Sequence, residues 1–259
     1  MKLRVSLIQQ PIVWQDPEAN RAHFASAIEP LASRTDLVVL PETFTTGFTM
    51  EVERVAEPVG GPTTEWLLGM ARRLDAVVTG SVITVDGGRY YNRLLWATPG
   101  GELHHYDKRH LFRMGNEHRH FTAGRSVRCL EWRGWRVCPL VCYDLRFPVF
   151  SRRRPDLDYD LLIYVANWPA VRRYAWQQLL KARAIENLAF VAGVNRIGPD
   201  GNDVGHAGDS VMHDFLGEPL ADMGSEPGVA TVELDGDALR AFRERFPAHL
   251  DADPFELRL

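Results

Sequence analysis

The sequence is poor in several features that mark particular classes of protein. Its 259 residues include only three cysteines, Cys129, Cys138 and Cys142, and the apolar run near its N-terminus is too short and too interrupted for a secretion signal. We therefore expect no disulfide framework and a reduced, cytoplasmic location. No stretch approaches the roughly 18 consecutive apolar residues of a membrane-spanning helix. The net charge of -4 gives no electrostatic reason to expect nucleic acid or an anionic membrane as a partner.

The composition is that of a folded protein with a sizeable core. Hydrophobic residues make up 45% of the chain and charged residues 25%, both close to the average for folded soluble proteins. No internal repeat, low-complexity tract or linker divides the sequence. We expect a single domain over residues 1–259, in which residues 249–259 lack hydrophobic periodicity and form a C-terminal tail.

Apolar segments alternate with segments of helical periodicity. Nearly continuous apolar runs predict strands covered on both faces, at residues 3–9, 36–40, 76–84, 89–98, 135–142, 161–166, 189–196, 210–214 and 228–234. Helices are predicted over residues 17–33, 63–74 and 175–187. Glycine-rich turns at residues 86–88 and 99–101 predict a hairpin within residues 77–98. The alternation predicts a layered α/β fold.

Three reactive side chains follow predicted strands. Glu42 comes directly after a buried strand, where α/β folds place their sites, and could act as a base. Lys108 lies in a segment dense in charge and could stabilise an oxyanion. Cys142 stands where an apolar run stops, so a rigid strand would hold its thiol beside a cleft. Taken singly, each has a simpler interpretation: an exposed glutamate, a surface lysine and a buried core thiol.

Together these residues describe an activated nucleophile. A nearby lysine would lower the pKa of the Cys142 thiol, and a nearby glutamate could take its proton. Cys138, four residues earlier on the same predicted strand, and Cys129 are assigned to the core.

The segments around the three residues resemble the carbon–nitrogen hydrolase (nitrilase) superfamily. Those that match are Leu-Pro-Glu at 40–42, Asp-Lys-Arg-His-Leu-Phe at 107–112 and Val-Cys-Tyr-Asp-Leu-Arg-Phe-Pro at 141–148. The likeness extends over nearly the whole chain. It implies a four-layer αββα sandwich, and a catalytic triad of Glu42, Lys108 and Cys142. It also implies a second glutamate, matched here by Glu117, that orients the lysine or the substrate.

The resemblance also implies a homodimer or larger homo-oligomer. The segments after Cys142 and around residues 183–187 match those that pack across the family interface.

Three further segments, residues 42–48, 165–169 and 180–187, look like the ω-amidase branch of that superfamily. This branch hydrolyses the terminal carboxamide of small α-keto acid ω-amides, of the 2-oxoglutaramate or 2-oxosuccinamate type. The chain departs from the pattern at Thr43, where methionine is more usual, which puts the shape of the pocket in doubt rather than the chemistry.

The implied mechanism is thiol attack on the carboxamide through a thioester. Lys108 and the backbone N–H of Tyr143 would hold the oxyanion. The far carboxylate of the substrate would pair with a guanidinium fork. Candidates for this substrate-binding role are Arg146, Arg172 and Arg173, with Trp168 and Phe44 as apolar walls.

Alternative interpretations remain open. Five histidines occur between residues 104 and 120, but Glu117-His118-Arg119-His120 does not have the ligand spacing of a zinc helix, so no metal or other cofactor is expected. The same triad could serve a nitrile or N-carbamoyl amide hydrolase. The chain could also be a non-catalytic interaction module, although the presence of all three reactive residue types argues against this.

Overall fold

A computed structural model describes residues 1–258 of the chain. Its helices are α1 Pro17–Ile28, α2 Val52–Val55, α3 Pro62–Leu74, α4 Glu117–His120, α5 Pro148–Ser151, α6 Arg173–Asn187 and α7 Gly236–Arg245. Its strands are β1 Lys2–Gln9, β2 Leu37–Val39, β3 Glu57–Pro58, β4 Val77–Asp86, β5 Arg89–Ala97, β6 Leu103–Asp107, β7 Leu130–Trp132, β8 Trp135–Val141, β9 Leu161–Ala166, β10 Phe190–Asn195, β11 Ile197–Pro199, β12 Gly205–Ala207, β13 Val211–His213, β14 Pro219–Asp222 and β15 Gly228–Asp235.

Two large sheets carry the fold. The first has the strand order β15-β1-β2-β4-β5-β6, with β3 paired to β4, and the second has the order β14-β13-β10-β9-β8-β7. Strands β1, β2 and β4 run parallel in the first sheet. Strands β8, β9 and β10 run parallel in the second. Parallel strands end at the same edge, so the residues that follow them are brought together.

The sheets face each other across the main core, with helices outside them. Side chains of β1, such as Leu3 and Val5, pack in one cluster with residues of β8, β9 and β10. On the other face of the first sheet, Phe24 of α1 and Leu67 of α3 form a second cluster. On the outer face of the second sheet, α6 contributes Trp176 to the main cluster. This arrangement confirms the predicted four-layer αββα sandwich.

Local departures from the prediction have identifiable causes. The first helix ends at Ile28, and a 3₁₀ turn continues over Glu29–Leu31, because Pro30 lacks the N–H needed to continue an α-helix. Helix α6 begins two residues earlier than predicted, at Arg173, and buries Trp176 and Leu180. The predicted hairpin forms between β4 and β5.

The end of the described chain has little regular structure. After the 3₁₀ turn Ala248–Leu250, residues 251–258 form neither helix nor strand and are mostly exposed. Leu259, the last residue of the predicted tail, lies outside the described residues. Within residues 1–258, no helix combines the length and apolarity needed to cross a bilayer.

Candidate active site

The three predicted reactive residues meet at one edge of the facing sheets. Glu42 follows β2, Lys108 follows β6, and Cys142 follows β8. Strand β6 is antiparallel to β5, which is antiparallel to β4, so β6 points in the same direction as β2 and β4. The residues after these strands therefore emerge at a common end of the sandwich.

Lys108 lies between two buried carboxylates. Its Nζ is 2.9 Å from Glu42 Oε1 and 2.9 Å from Glu117 Oε2. The side chains of both glutamates are completely buried, and that of Lys108 is 1% exposed. The backbone N–H of Phe112 donates to Glu117 Oε2 at 2.6 Å, which fixes the second carboxylate. The Lys108 ammonium is thus held in place from two sides.

Glu42 is held by two asparagines as well as by the lysine. The backbone N–H of Asn167 donates to Glu42 Oε2 at 2.7 Å. Asn92 Nδ2 donates to Glu42 Oε1 at 2.8 Å and to Glu117 Oε1 at 3.3 Å. Because the groups that contact the Glu42 oxygens are donors, they fix the orientation of its carboxylate. A carboxylate fixed in this way beside a thiol is placed to accept a proton.

Cys142 occupies a tight turn between β8 and a 3₁₀ helix. Its φ is +46°, a left-handed conformation that costs a non-glycine residue about 1–3 kcal/mol. Asp144 secures this turn: its Oδ2 accepts from the Val141 N–H at 3.0 Å and from the Tyr106 hydroxyl at 2.7 Å. Its Oδ1 accepts from the His110 N–H at 3.0 Å. The surrounding structure therefore maintains the strained backbone at the thiol.

The electrostatics of the cluster favour a neutral thiol beside an ammonium. Burial and the charge of Glu42 raise the pKa of the Cys142 thiol well above its ordinary value, although Lys108 acts in the opposite direction. Lys108 lowers this pKa, as expected of a nearby lysine, but two carboxylates and burial outweigh one cation. Burial alone would lower the pKa of Lys108, but Glu117 and Glu42 raise it overall. Burial raises the pKa of Glu117.

A cavity of about 430 Å³ opens onto the cluster. Cys142, Glu42 and Lys108 line it, as does Tyr143, the residue after the thiol. Aromatic side chains form much of its wall: Trp14, Phe48, Phe112 and Trp168. Such a volume is within the range of small-molecule sites.

Two of the predicted arginines line this cavity, each beside an aromatic ring. Arg146 Cζ lies 5.0 Å from the centroid of the Trp168 ring. Arg172 Cζ lies 5.7 Å from the Phe112 ring. Neither arginine is fully exposed. They supply positive charge to a cavity whose wall also includes aromatic side chains and the acidic residues Glu51 and Asp200.

Two other predicted substrate-binding residues lie elsewhere, so these assignments were wrong. Phe44 is completely buried and packs edge to face on Phe24, with ring centroids 5.4 Å apart, in the cluster under α1 and α3. Arg173 forms two bonds to Asp209, at 3.0 and 2.6 Å. Neither residue lines the cavity.

The prediction missed two residues that organise the cluster. Asn92 bonds both glutamates, and Asn167 bonds both the carboxylate and, through its side chain, the backbone oxygen of Glu42. Asn92 stood out in the sequence as an amide inside an otherwise strand-like run, a signal that could have identified it. Within residues 1–258, no group of three or more histidine, cysteine, aspartate or glutamate side chains is arranged to hold a metal ion.

The sequence of the chain matches a known protein family. The sequence model of the carbon–nitrogen hydrolases matches residues 4–244. The chain is 51% identical to the omega-amidase YafV of Yersinia enterocolitica over 260 residues, which cover 98% of each protein. It is 34% identical to the 2-oxoglutaramate amidase of Bacillus subtilis over 256 residues, covering 97% of this chain and 98% of that protein.

A solved structure shares the whole fold. It is the crystal structure of a CN-hydrolase superfamily protein from Xanthomonas campestris, which carries an arsenic adduct in its active site. The two chains superpose with a TM-score of 0.97 at 54% sequence identity, and the match covers 99% of each.

Proposed function

This chain belongs to the carbon–nitrogen hydrolase family, and we propose that it is an ω-amidase that uses Cys142 as its nucleophile. Its substrates are small α-keto acid ω-amides of the 2-oxoglutaramate or 2-oxosuccinamate type, which it converts to the dicarboxylate and ammonia. The observation that carries the proposal is the buried contact of Lys108 with both Glu42 and Glu117, at the base of a cavity that Cys142 also lines.

In the first half-reaction, the Cys142 sulfur attacks the carboxamide carbon. Because burial keeps the resting thiol neutral, its proton passes to Glu42 as the C–S bond forms. The carbonyl oxygen becomes an oxyanion that accepts from Lys108 and from the backbone N–H of Tyr143. Such a donor typically contributes about 3–4 kcal/mol to the stability of the transition state. Glu42 then protonates the leaving nitrogen, and ammonia departs from a thioester.

In the second half-reaction, Glu42 takes a proton from water, which attacks the thioester carbon. The C–S bond breaks, the thiol recovers its proton, and the carboxylate product leaves. Glu117 does not touch the substrate in this scheme. It acts through Lys108, because its carboxylate accepts from the Lys108 ammonium and is fixed by Phe112.

The arginines of the cavity support a substrate that carries a carboxylate. Arg146 and Arg172 are the cationic side chains of the cavity wall besides Lys108, and a guanidinium pairs with a carboxylate through two parallel hydrogen bonds. The aromatic side chains Trp14, Phe48, Phe112 and Trp168 in its wall also suit a short carbon chain between the carboxylate and the amide. The 51% identity to an omega-amidase is consistent with this substrate class.

We further propose that the chain forms a homo-oligomer in the cytoplasm. Large apolar side chains are exposed after the nucleophile turn, just before α6 and along α6: Val149, Val171, Tyr174 and Ile185 are 53%, 86%, 73% and 48% exposed, respectively. Exposed large apolar side chains in these segments are consistent with an interface that would cover them. The mechanism also requires a reduced thiol, which a reducing compartment maintains.

An ammonia-release assay tests the proposed function. The panel comprises α-keto ω-amides, glutamine, an uncharged aliphatic amide, a nitrile and an N-carbamoyl amino acid. We expect the highest kcat/KM for the α-keto ω-amides. Preferred turnover of the nitrile or the N-carbamoyl compound would instead assign the same triad to the alternative chemistry, and no turnover of any compound would favour a non-catalytic module.

A further inference from the structure

The hairpin that carries Cys142 brings the other two cysteines together. Strands β7 and β8 are antiparallel, with Leu130 opposite Val137 and Trp132 opposite Trp135. Continuing this register by one residue places Cys129 opposite Cys138. Arg133 and Gly134 join the strands with φ values of +48° and +80°, the two-residue turn that fixes hairpin register.

Cys129 and Cys138 also form the kind of cross-strand pair that a disulfide can link. In an antiparallel ladder, pairs that exchange backbone hydrogen bonds alternate with pairs that do not. Trp132 and Trp135, which flank the two-residue turn, form a hydrogen-bonded pair. Cys129 and Cys138 therefore form a pair without mutual backbone hydrogen bonds. In such pairs the Cα atoms are about 4.5 Å apart, within the range of about 4.4–6.8 Å that a disulfide spans.

The two thiols differ in their environments. Cys138 is completely buried in the main core, while Cys129 is half-buried and packs against the same cluster. The neighbouring Cys138 thiol and the nearby Arg136 guanidinium hold the pKa of Cys129 below its ordinary value. By contrast, burial raises the pKa of Cys142. Since the thiolate is the reactive form, Cys129 is the more reactive of these sulfurs toward an external oxidant.

We propose that Cys129 and Cys138 form a second thiol site, at which hydrogen peroxide closes a cross-strand disulfide. The Cys129 thiolate attacks the peroxide, the O–O bond breaks, and a sulfenic acid and one water result after proton transfer. The Cys138 sulfur then displaces hydroxide from that sulfenic acid, which leaves as a second water. Two thiols are oxidised and one peroxide is reduced, and Cys142 stays a free thiol.

Hydrogen peroxide, added to the full-length protein at one equivalent, tests this proposal independently of amidase activity. Free thiols are then alkylated, and the protein is digested with trypsin without reduction. Cleavage after arginine releases residues 129–133 as one peptide and residues 137–146 as another, which contains both Cys138 and Cys142. We expect these peptides to be linked, with fragmentation locating the link at Cys138 and the alkyl group at Cys142.

Two variants complete the test. Cys129→Ser removes the half-buried thiol and should abolish the linked peptide, while Cys142→Ala should leave the link intact. Dithiothreitol added before digestion should separate the two peptides. The proposal is overturned if Cys129 is oxidised to a sulfinic acid without a link, if the link involves Cys142, if Cys142 is oxidised first, or if all three thiols remain alkylatable.

Discussion

Replacing Glu117 by glutamine removes one negative charge from the cluster around Lys108 while nearly preserving the shape of the side chain. Glu117 accepts from Lys108 through both oxygens and from the Phe112 N–H at 2.6 Å. A glutamine side chain has only one oxygen, so its NH₂ group would face a donor, either the Lys108 ammonium or the Phe112 N–H. Hydrogen bonds to charged groups contribute about 1.5–3 kcal/mol each. Misplacing the lysine should therefore cost about 3–4 kcal/mol in the transition state, or about 10²–10³-fold in kcat.

Steady-state kinetics with an α-keto ω-amide measure this effect, and KM should change much less than kcat. Because Glu117 helps to raise the pKa of Lys108, its neutralisation should also move the alkaline limb of the pH–rate profile to lower pH. A thermal unfolding curve is the control, since it separates loss of folded protein from loss of rate. Unchanged kcat and an unchanged pH profile in a folded Glu117→Gln variant would refute the positioning role.

Two further predictions concern the cavity. Arg146→Gln and Arg172→Gln should each raise KM about tenfold for a carboxylate-bearing amide, because one charge-assisted contact is lost. Neither variant should raise KM for an uncharged amide. Arg173→Gln, which changes a residue outside the cavity, is the control. Burial and Arg196 lower the pKa of His206 to about 4. The folded state therefore binds this proton less tightly than the unfolded state does. The neutral imidazole contributes about 3 kcal/mol to the free energy of unfolding, in full above about pH 6.5, and this contribution should be lost as the pH falls toward 4. Urea unfolding would detect this, and His206→Gln should reduce it.

The layered fold and the reactive residues were predictable because their signals are local. The run at residues 161–166 is apolar throughout and is fully buried as β9, as a strand covered on both faces must be. Strand β6 was missed because its sequence includes His104 and His105, which conceal the apolar pattern. Its neighbour β5 provides the pairing that makes it a strand, and pairing across a sheet is a non-local property.

The walls of the cavity were less predictable, because small local rotations decide where a side chain lies. Phe44 was expected to be a wall because it is close to Glu42 in sequence. However, Thr43 has a φ of +40°, which changes the chain direction, and Phe44 packs close to Gly80, where a Cβ would lie only 3.0 Å from its ring. Phe48 lies at the site instead, with its ring centroid 5.1 Å from Lys108 Nζ.

Adjacent residues of similar chemistry pose the same problem. Arg172 and Arg173 stand next to each other in the sequence, yet one lines the cavity and the other pairs with Asp209. Arg172 ends the 3₁₀ turn before α6 and Arg173 is the first residue of α6, so the two side chains face different surroundings. The partner that selects between them lies 36 residues farther along the chain, and only the folded structure brings it there.

In the proposed mechanism Cys142 carries the acyl group during turnover. This role is tested most directly by rapid acid quench of the enzyme during turnover of an α-keto ω-amide, followed by peptide mass spectrometry. We expect an acyl adduct on Cys142 that appears with the first ammonia released, and neither adduct nor turnover in a folded Cys142→Ala variant. Steady turnover by Cys142→Ala, or an adduct on another residue, would contradict it.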